Sequence, residues 1–367
     1  MTKSKDLIHS GREGLDFRKK ERVYPTGCTL LNMAFGVVDP ITKQPGIPAA
    51  TVVEAFGPNA SLKTALWESL AANIHKMDKQ AKVLAILSEE PEYERFESVG
   101  IDLDRIFCWT YYNLNNPDLM VSAEEGLDLV NTLVSEDTDY KLVVVDSIKG
   151  LISTGQTFDK KGALKGLEEG DPVAARANLI NRFTGKFAAA NKARAILFMV
   201  NQVSESIGND FTIGINNKTK TAGGRGKEHW AKIRINCNST VPDMTDKPEE
   251  HGLNKNKIYD RFKAIYYLEK NKYGYPFRRV HTEFDLQEKR FLNEKNCLSV
   301  AEYLGLVERR GAYWKIGDQN IQSRGKAEDY LAENPEIQEK LWEQIIPRHV
   351  EFYNSPKSRS AKEELND

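Results

Sequence analysis

Apolar positions along the chain fall into short runs separated by longer amphipathic stretches. Ala50 to Phe56 (ATVVEAF), Val83 to Leu87 (VLAIL), Ile106 to Thr110, Leu142 to Val145 (LVVV) and Ala195 to Val200 (AILFMV) are short and rich in β-branched or other apolar residues. That pattern suits strands covered on both faces. Between them, Ser61 to Lys76, Pro117 to Ser135 and Pro172 to Lys192 have helical periodicity, the last opening behind Asp171-Pro172, an N-cap and N1 pair. The alternation predicts an α/β fold with a mostly parallel sheet. Lys232 to Asn236, Ala264 to Glu269 and Arg278 to Asp285 alternate apolar and polar residues, so an antiparallel extension should make the sheet mixed.

The same pattern divides the chain. Residues 1–23 are polar, carry both charge signs and read as an arm with at most one short helix; residues 24–286 form the main unit. Around Leu304, Tyr313-Trp314 and Trp342 the spacing becomes that of compact helices, predicting a small C-terminal unit over 287–354 ahead of a solvated tail, 355–367. Ser153 to Gly170, Ser204 to Gly226 and Asn238 to Lys257 resist assignment. The first two are rich in Gly and Lys and follow strands of the core, where long loops tend to be functional.

Charge alters this picture little. The 367 residues carry 52 Lys and Arg against 53 Asp and Glu, a formal net charge of −1. Any nucleic-acid contact must therefore come from local clusters of cations. Cys28, Cys108, Cys237 and Cys297 are far apart and lack metal-ligand spacing, which argues against a zinc module or disulfide framework. No apolar run approaches the ~18 residues of a membrane span, and the N-terminus has no apolar export core; a cytoplasmic protein with no membrane partner is expected.

Candidate chemistry begins at Gly57-Pro58-Asn59-Ala60-Ser61-Leu62-Lys63-Thr64, directly after a predicted strand and before an amphipathic helix. This is the context of a phosphate-binding loop. Backbone N–H groups at the helix start cradle phosphate oxygens, Lys63 neutralises their charge, and the Thr64 hydroxyl can ligate Mg²⁺. Leu62 stands where such loops usually have a second Gly; an ordinary helix start would give it a negative φ, where a side chain fits. Asp146 ends the strand LVVV-Asp146, suited to hold a metal-bound water or simply to cap the strand. Glu89 ends another strand, as a general base or as one acid in an acidic stretch. Asn201-Gln202 ends a third, as a γ-phosphate sensor or as a local hydrogen-bonding pair.

In this order the motifs resemble the RecA family of homologous-recombination ATPases, including its phage UvsX-like branch. Pro25-Thr26-Gly27-Cys28-Thr29-Leu30-Leu31-Asn32, the loop Gly57 to Thr64, Ser88-Glu89 with Ser98-Val99-Gly100-Ile101-Asp102, and VVVDS carry the resemblance, as do Ile196 to Val203 with Gly223-Gly224, and Lys270-Asn271-Lys272 with Pro276-Phe277-Arg278. Leu304-Gly305-Leu306-Val307, Gly311-Ala312-Tyr313-Trp314, Gly325-Lys326-Ala327 and Asn334-Pro335-Glu336 extend it into the C-terminal unit.

The resemblance implies a RecA-like ATPase core with a small α/β C-terminal domain that contacts duplex DNA, and a polymerising N-terminal arm. It implies ATP and Mg²⁺ as cofactors, Glu89, Gln202 and Lys63 as catalytic residues, and Thr64 and Asp146 as metal ligands. Lys270 and Lys272 would reach the ATP of a neighbouring subunit in a helical filament, a homo-oligomer. DNA-binding loops would lie at about 153–171 and 203–226, with Arg176, Lys218, Lys220, Gly223, Gly224, Arg225 and Lys227 against single-stranded DNA. Single-strand-binding and mediator proteins are further partners it suggests. Glu228 stands at a family lysine position and Ser204 at a common arginine position, and either Tyr93 or Arg95 fits the adenine-stacking role. Two alternatives remain open: a ring-forming motor on the same core, and a non-hydrolysing DNA-coating or regulatory paralogue.

Overall fold

A computed structural model describes residues 9–354 except 113, 117–120, 160–162, 167–173, 205–219, 223, 225 and 241–260. The described elements run α1 (Gly11–Lys19), β1 (Val23–Tyr24), α2 (Thr29–Phe35), β2 (Ile47–Pro48), β3 (Val52–Gly57), α3 (Lys63–Met77), β4 (Lys82–Leu87), α4 (Tyr93–Val99), β5 (Ile106–Trp109), α5 (Ala123–Glu136) and β6 (Tyr140–Asp146). They continue through α6 (Thr154–Thr157), α7 (Ala175–Ala190), β7 (Ile196–Ser204), β8 (Lys220–Thr221), α8 (Gly226–Trp230), β9 (Ile233–Thr240), β10 (Arg261–Asn271), β11 (Arg279–Asp285) and β12 (Arg290–Phe291). The chain then adds α9 (Asn293–Tyr303), β13 (Glu308–Arg310), β14 (Tyr313–Ile316), β15 (Gln319–Gln322), α10 (Arg324–Glu333) and α11 (Pro335–Asn354).

A ten-stranded sheet, ordered β12-β11-β10-β9-β3-β7-β6-β4-β5 with β8 on the end of β7, organises the described residues. From β9 to β5 the neighbours are parallel, whereas β10 to β12 are antiparallel, so the sheet is mixed as the sequence pattern predicts. The apolar runs of β3, β4, β6 and β7 are buried because helices cover both faces. Residues from α2 and α3 pack on one face, with Leu66, Trp67 and Leu70 in its core, and α5 and α7 cover the other with Val130, Phe183 and Phe187. Ser122 and Glu125 form a capping box at the start of α5, satisfying donors that a helix N-terminus otherwise leaves free.

The third apolar cluster gathers Cys297, Leu298, Trp314, Ala327, Leu331 and Trp342, and reaches Met33 of α2. Tyr313-Trp314 lies in β14, the middle strand of a three-stranded antiparallel sheet, rather than in a helix. Alternation explains the difference: Trp314 and Ile316 face in while Tyr313 and Lys315 face out, a period of two that a four-residue strand barely displays. At the other end, α1 is held by a capping box between Ser10 and Glu13 and buries none of its residues.

Candidate active site

β3, β7, β6 and β4 lie side by side, with Gly57 paired to Gln202 and Leu87 to Asp146. Their carboxyl ends open on a cleft of about 410 Å³ lined by Lys63, Thr64, Glu89, Asp146 and Gln202. Residues separated by well over a hundred positions in sequence thus meet at the carboxyl ends of parallel strands, where open α/β sheets bind ligands.

The phosphate-loop candidate is shaped by close approach and by backbone conformation. A Cβ at Gly57 would lie 1.9 Å from the Cys237 carbonyl oxygen of β9, so only Gly fits there. Ala60 and Leu62 have φ of 56° and 60°. The expectation of an ordinary negative φ at Leu62 is therefore corrected: it caps α3 in the left-handed region. A non-Gly residue there costs about 1–2 kcal/mol, partly offset because the Leu62 side chain packs against the main core.

Lys63 is only 7% exposed. Its Nζ donates to the carbonyls of Gly57 (3.1 Å) and Pro58 (2.5 Å) and to Ser61 Oγ (2.9 Å). These are neutral acceptors, and burial lowers the lysine pKa. An incoming phosphate would give the ammonium a stronger, charge-assisted partner. Asp146 Oδ2 accepts hydrogen bonds from Thr64 Oγ1 (2.9 Å) and Trp67 Nε1 (2.8 Å). Burial nevertheless raises its pKa, despite Lys63 nearby and with Glu89 adding to the rise. A carboxylate in that position gains from a divalent cation beside the Thr64 hydroxyl, so the residues present fit Mg²⁺.

Glu89 is exposed at the rim, and Gln202 is half-buried on the strand between the loop and Asp146. One residue beyond Gln202, β7 pairs with β8, Val203 to Thr221. The ladder closes the base of segment 205–219, so the cleft and the loop share a strand.

Glu68, which the sequence reading passed over, completes the cleft together with Arg95, one of the two adenine-stacking candidates. Glu68 of α3 is 1% exposed and forms a bidentate pair with Arg95 of α4, whose Nε lies 2.8 Å from Oε1 and Nη2 2.8 Å from Oε2. Both line the cleft, as does Trp67; Tyr93 is not among its lining residues. The signal available in sequence was a Glu inside KTALWESLAANI, an otherwise apolar helix, because a buried carboxylate requires a partner.

Glu54 gives the same signal within VVEAF. Fully buried in β3, it accepts from Asn201 Nδ2 (2.9 Å) and Arg234 Nε (2.8 Å), and Lys227 Nζ lies 3.3 Å away. Lys227 also donates to the Gly224 carbonyl (3.0 Å) and is 0% exposed. The expectation that Lys227 lies on a DNA backbone is therefore corrected: as folded here, its charge is spent on Glu54. Asn201 donates as well to the Ala222 carbonyl (2.8 Å), so the hub ties the strand of Gln202 to the returning limb of the loop.

The remaining expected contacts are scattered. Arg176 Nε donates to the Leu151 carbonyl (3.0 Å) at the start of α7. Gly224 has φ of 69° and approaches Ala177 closely. Lys220 lies in β8, while Lys218, Gly223 and Arg225 lie outside the described residues. Lys270 and Lys272 are not brought to the cleft. Lys270 pairs with Arg234, which pairs with Glu54, at the amino end of β3 relative to Gly57. Its Nζ donates to the Glu228 carbonyl (2.6 Å).

A family model described as the RecA N-terminal domain matches residues 11–288. The chain belongs to the RecA family. It is 30% identical over 329 residues to Protein RecA of Streptomyces coelicolor, covering 88% of this chain and 76% of that protein. It is 28% identical over 333 residues to Protein RecA of Roseiflexus castenholzii, covering 89% and 82%, and 26% identical over 326 residues to that of Mycoplasma mobile, covering 88% and 86%. Among the described residues of this RecA-family chain, no helix is long and apolar enough to cross a membrane.

Proposed function

We propose that the chain is an ATP-dependent DNA strand-exchange recombinase that assembles on single-stranded DNA and pairs it with a homologous duplex. The observation that carries this reading is the convergence of Lys63, Thr64, Glu89, Asp146 and Gln202 on one cleft, with Gln202 one residue from the ladder at the base of segment 205–219.

In this mechanism Lys63 leaves its loop carbonyls for the nucleotide's phosphates. Glu89 takes a proton from water as the water oxygen attacks the γ-phosphorus, and the bond to the β,γ-bridging oxygen breaks to give ADP and phosphate. Mg²⁺, when bound at Thr64 and Asp146, supplies charge neutralisation on the phosphates. Gln202 senses the γ-phosphate and passes its presence through the β7–β8 ladder to the loop, whose cations meet the DNA backbone without sequence preference. Lys270 and Lys272 act on a neighbouring subunit's nucleotide in a filament, which suits their distance from their own cleft.

The test is ATP hydrolysis with and without single-stranded DNA, comparing the chain with Glu89→Gln. A DNA-stimulated rate that falls roughly 10²–10⁴-fold in the variant is expected from loss of a general base, with filaments visible by electron microscopy in the same samples. DNA coating without hydrolysis in the unaltered chain would instead favour the non-hydrolysing paralogue, the reading that the left-handed Leu62 supports.

A further inference from the structure

Helix α3 reaches a second cleft with its other end. This cleft, about 520 Å³, is bounded by the last turns of α3, the β11–β12 turn and the start of α9, with Gln338 of α11 on its far side. Its lining includes Lys76, Lys79, Arg105, Lys289 and Arg290, while Glu294 is its carboxylate. We propose that this cleft binds a small polyphosphate anion, such as inorganic tripolyphosphate or the phosphate tail of a free nucleotide, which bridges α3 to the C-terminal unit.

The cations alone would not carry this assignment, because lysines near a helix C-terminus are favoured by the helix dipole. Two buried donors do. His75 is 2% exposed; its Nδ1 accepts the Asp102 backbone N–H at 3.1 Å, so its Nε2 carries the proton. That Nε2 and Gln338 Nε2 are both buried and have no hydrogen-bond partner among the described residues, and both residues line the cleft. Orphaned buried donors are costly, and an anion's oxygens are the acceptors they lack.

Several of the cations are also uncommitted. Lys76 and Lys79 make no ion pair among the described residues, and Lys289 Nζ donates only to Ser98 Oγ (2.6 Å). Arg105 is paired with Asp102, and Arg290 with Glu288 and Glu294, so the excess positive charge rests on the lysines. The volume is that of a small-ligand site and is too small for a duplex, which favours a compact anion over DNA.

The experiment is calorimetric titration of sodium tripolyphosphate, without Mg²⁺, into the full chain carrying Lys63→Ala to silence the first cleft. Adding Lys76→Gln, Lys79→Gln and Lys289→Gln should weaken binding by at least about tenfold. Adding Gln338→Leu instead, which removes a donor and no charge, should weaken it about threefold to tenfold. Unchanged affinity in either variant would overturn the proposal. So would loss of affinity for a duplex oligonucleotide in the triple-lysine variant with tripolyphosphate binding intact, which would make the lysines a DNA contact.

Discussion

The two ends of α3 meet opposite environments. Around Lys63, Thr64 and Trp67 the cleft holds Glu68, Glu89, Glu90, Glu92 and Asp146 against Lys63 and Arg95; around His75 and Lys76 it holds five cationic side chains against Glu294. An acidic cleft repels a bare triphosphate and accepts one only with a metal that cancels part of both charges, whereas a basic cleft needs no such escort. One helix would thus separate the proposed metal-dependent phosphate site from the proposed metal-independent one, and it is charge balance at each end that distinguishes them.

The largest way to test that contrast is Lys63→Ala. ATP hydrolysis should fall at least about a hundredfold, the scale for losing a charged phosphate contact in a closed site, while metal-free tripolyphosphate binding persists. A result in which both vanish together would collapse the two sites into one.

Acid should act at the basic end. Burial, with Arg105 beside it, pushes the His75 pKa down from 6.5 to about 4. The unfolded chain therefore binds the proton first, so this contribution to stability is complete above about pH 6.5 and is lost as pH falls towards 4. The slope is at most about 1.4 kcal/mol per pH unit. Urea denaturation across that window should show it, and His75→Gln should flatten it.

At the acidic end, Arg95→Ala strands a Glu68 side chain that is 2% exposed, although Arg95 itself is 35% exposed. Stability should drop by about 2 kcal/mol, less than for a fully buried pair, and Glu68→Gln added to Arg95→Ala should recover much of it. Leu62→Gly is the mildest change. Relief of the left-handed conformation and loss of side-chain packing oppose each other, leaving stability within about 1 kcal/mol. KM for Mg·ATP should nonetheless fall a few-fold as the loop loses a Cβ; a raised KM would mean that Leu62's packing shapes the loop.

Much of the acidic cleft was legible in the sequence. Apolar runs ending in Gly57, Glu89, Asp146 and Gln202 announce strands whose carboxyl ends carry polar groups, and parallel order then brings those ends together. What was not legible depends on pairings across the sheet. Lys227 sits in GGRGKEHW and looks like a solvated cation, because nothing local reveals that Glu54 lies within 3.3 Å. Leu62 hides its φ differently: the usual Gly at its place hints at a left-handed residue, but a Leu does not display one, and the conformation appears only at the turn into α3. The basic cleft was hidden because its cations come from the end of α3 and the turn after it, the β11–β12 turn with the start of β12, and the loop before β5, segments that no motif connects.

The reversal of β10 against β9 sets Lys270 three residues upstream of the level of Gly57 and two strands away, roughly 14 Å at ordinary strand rise and spacing. On the proposed reading, the triphosphate those lysines touch sits on another molecule. Turnover would be a property of contacts between chains rather than of chains, and the rate per molecule should rise with protein concentration and fade on dilution, even with ATP saturating.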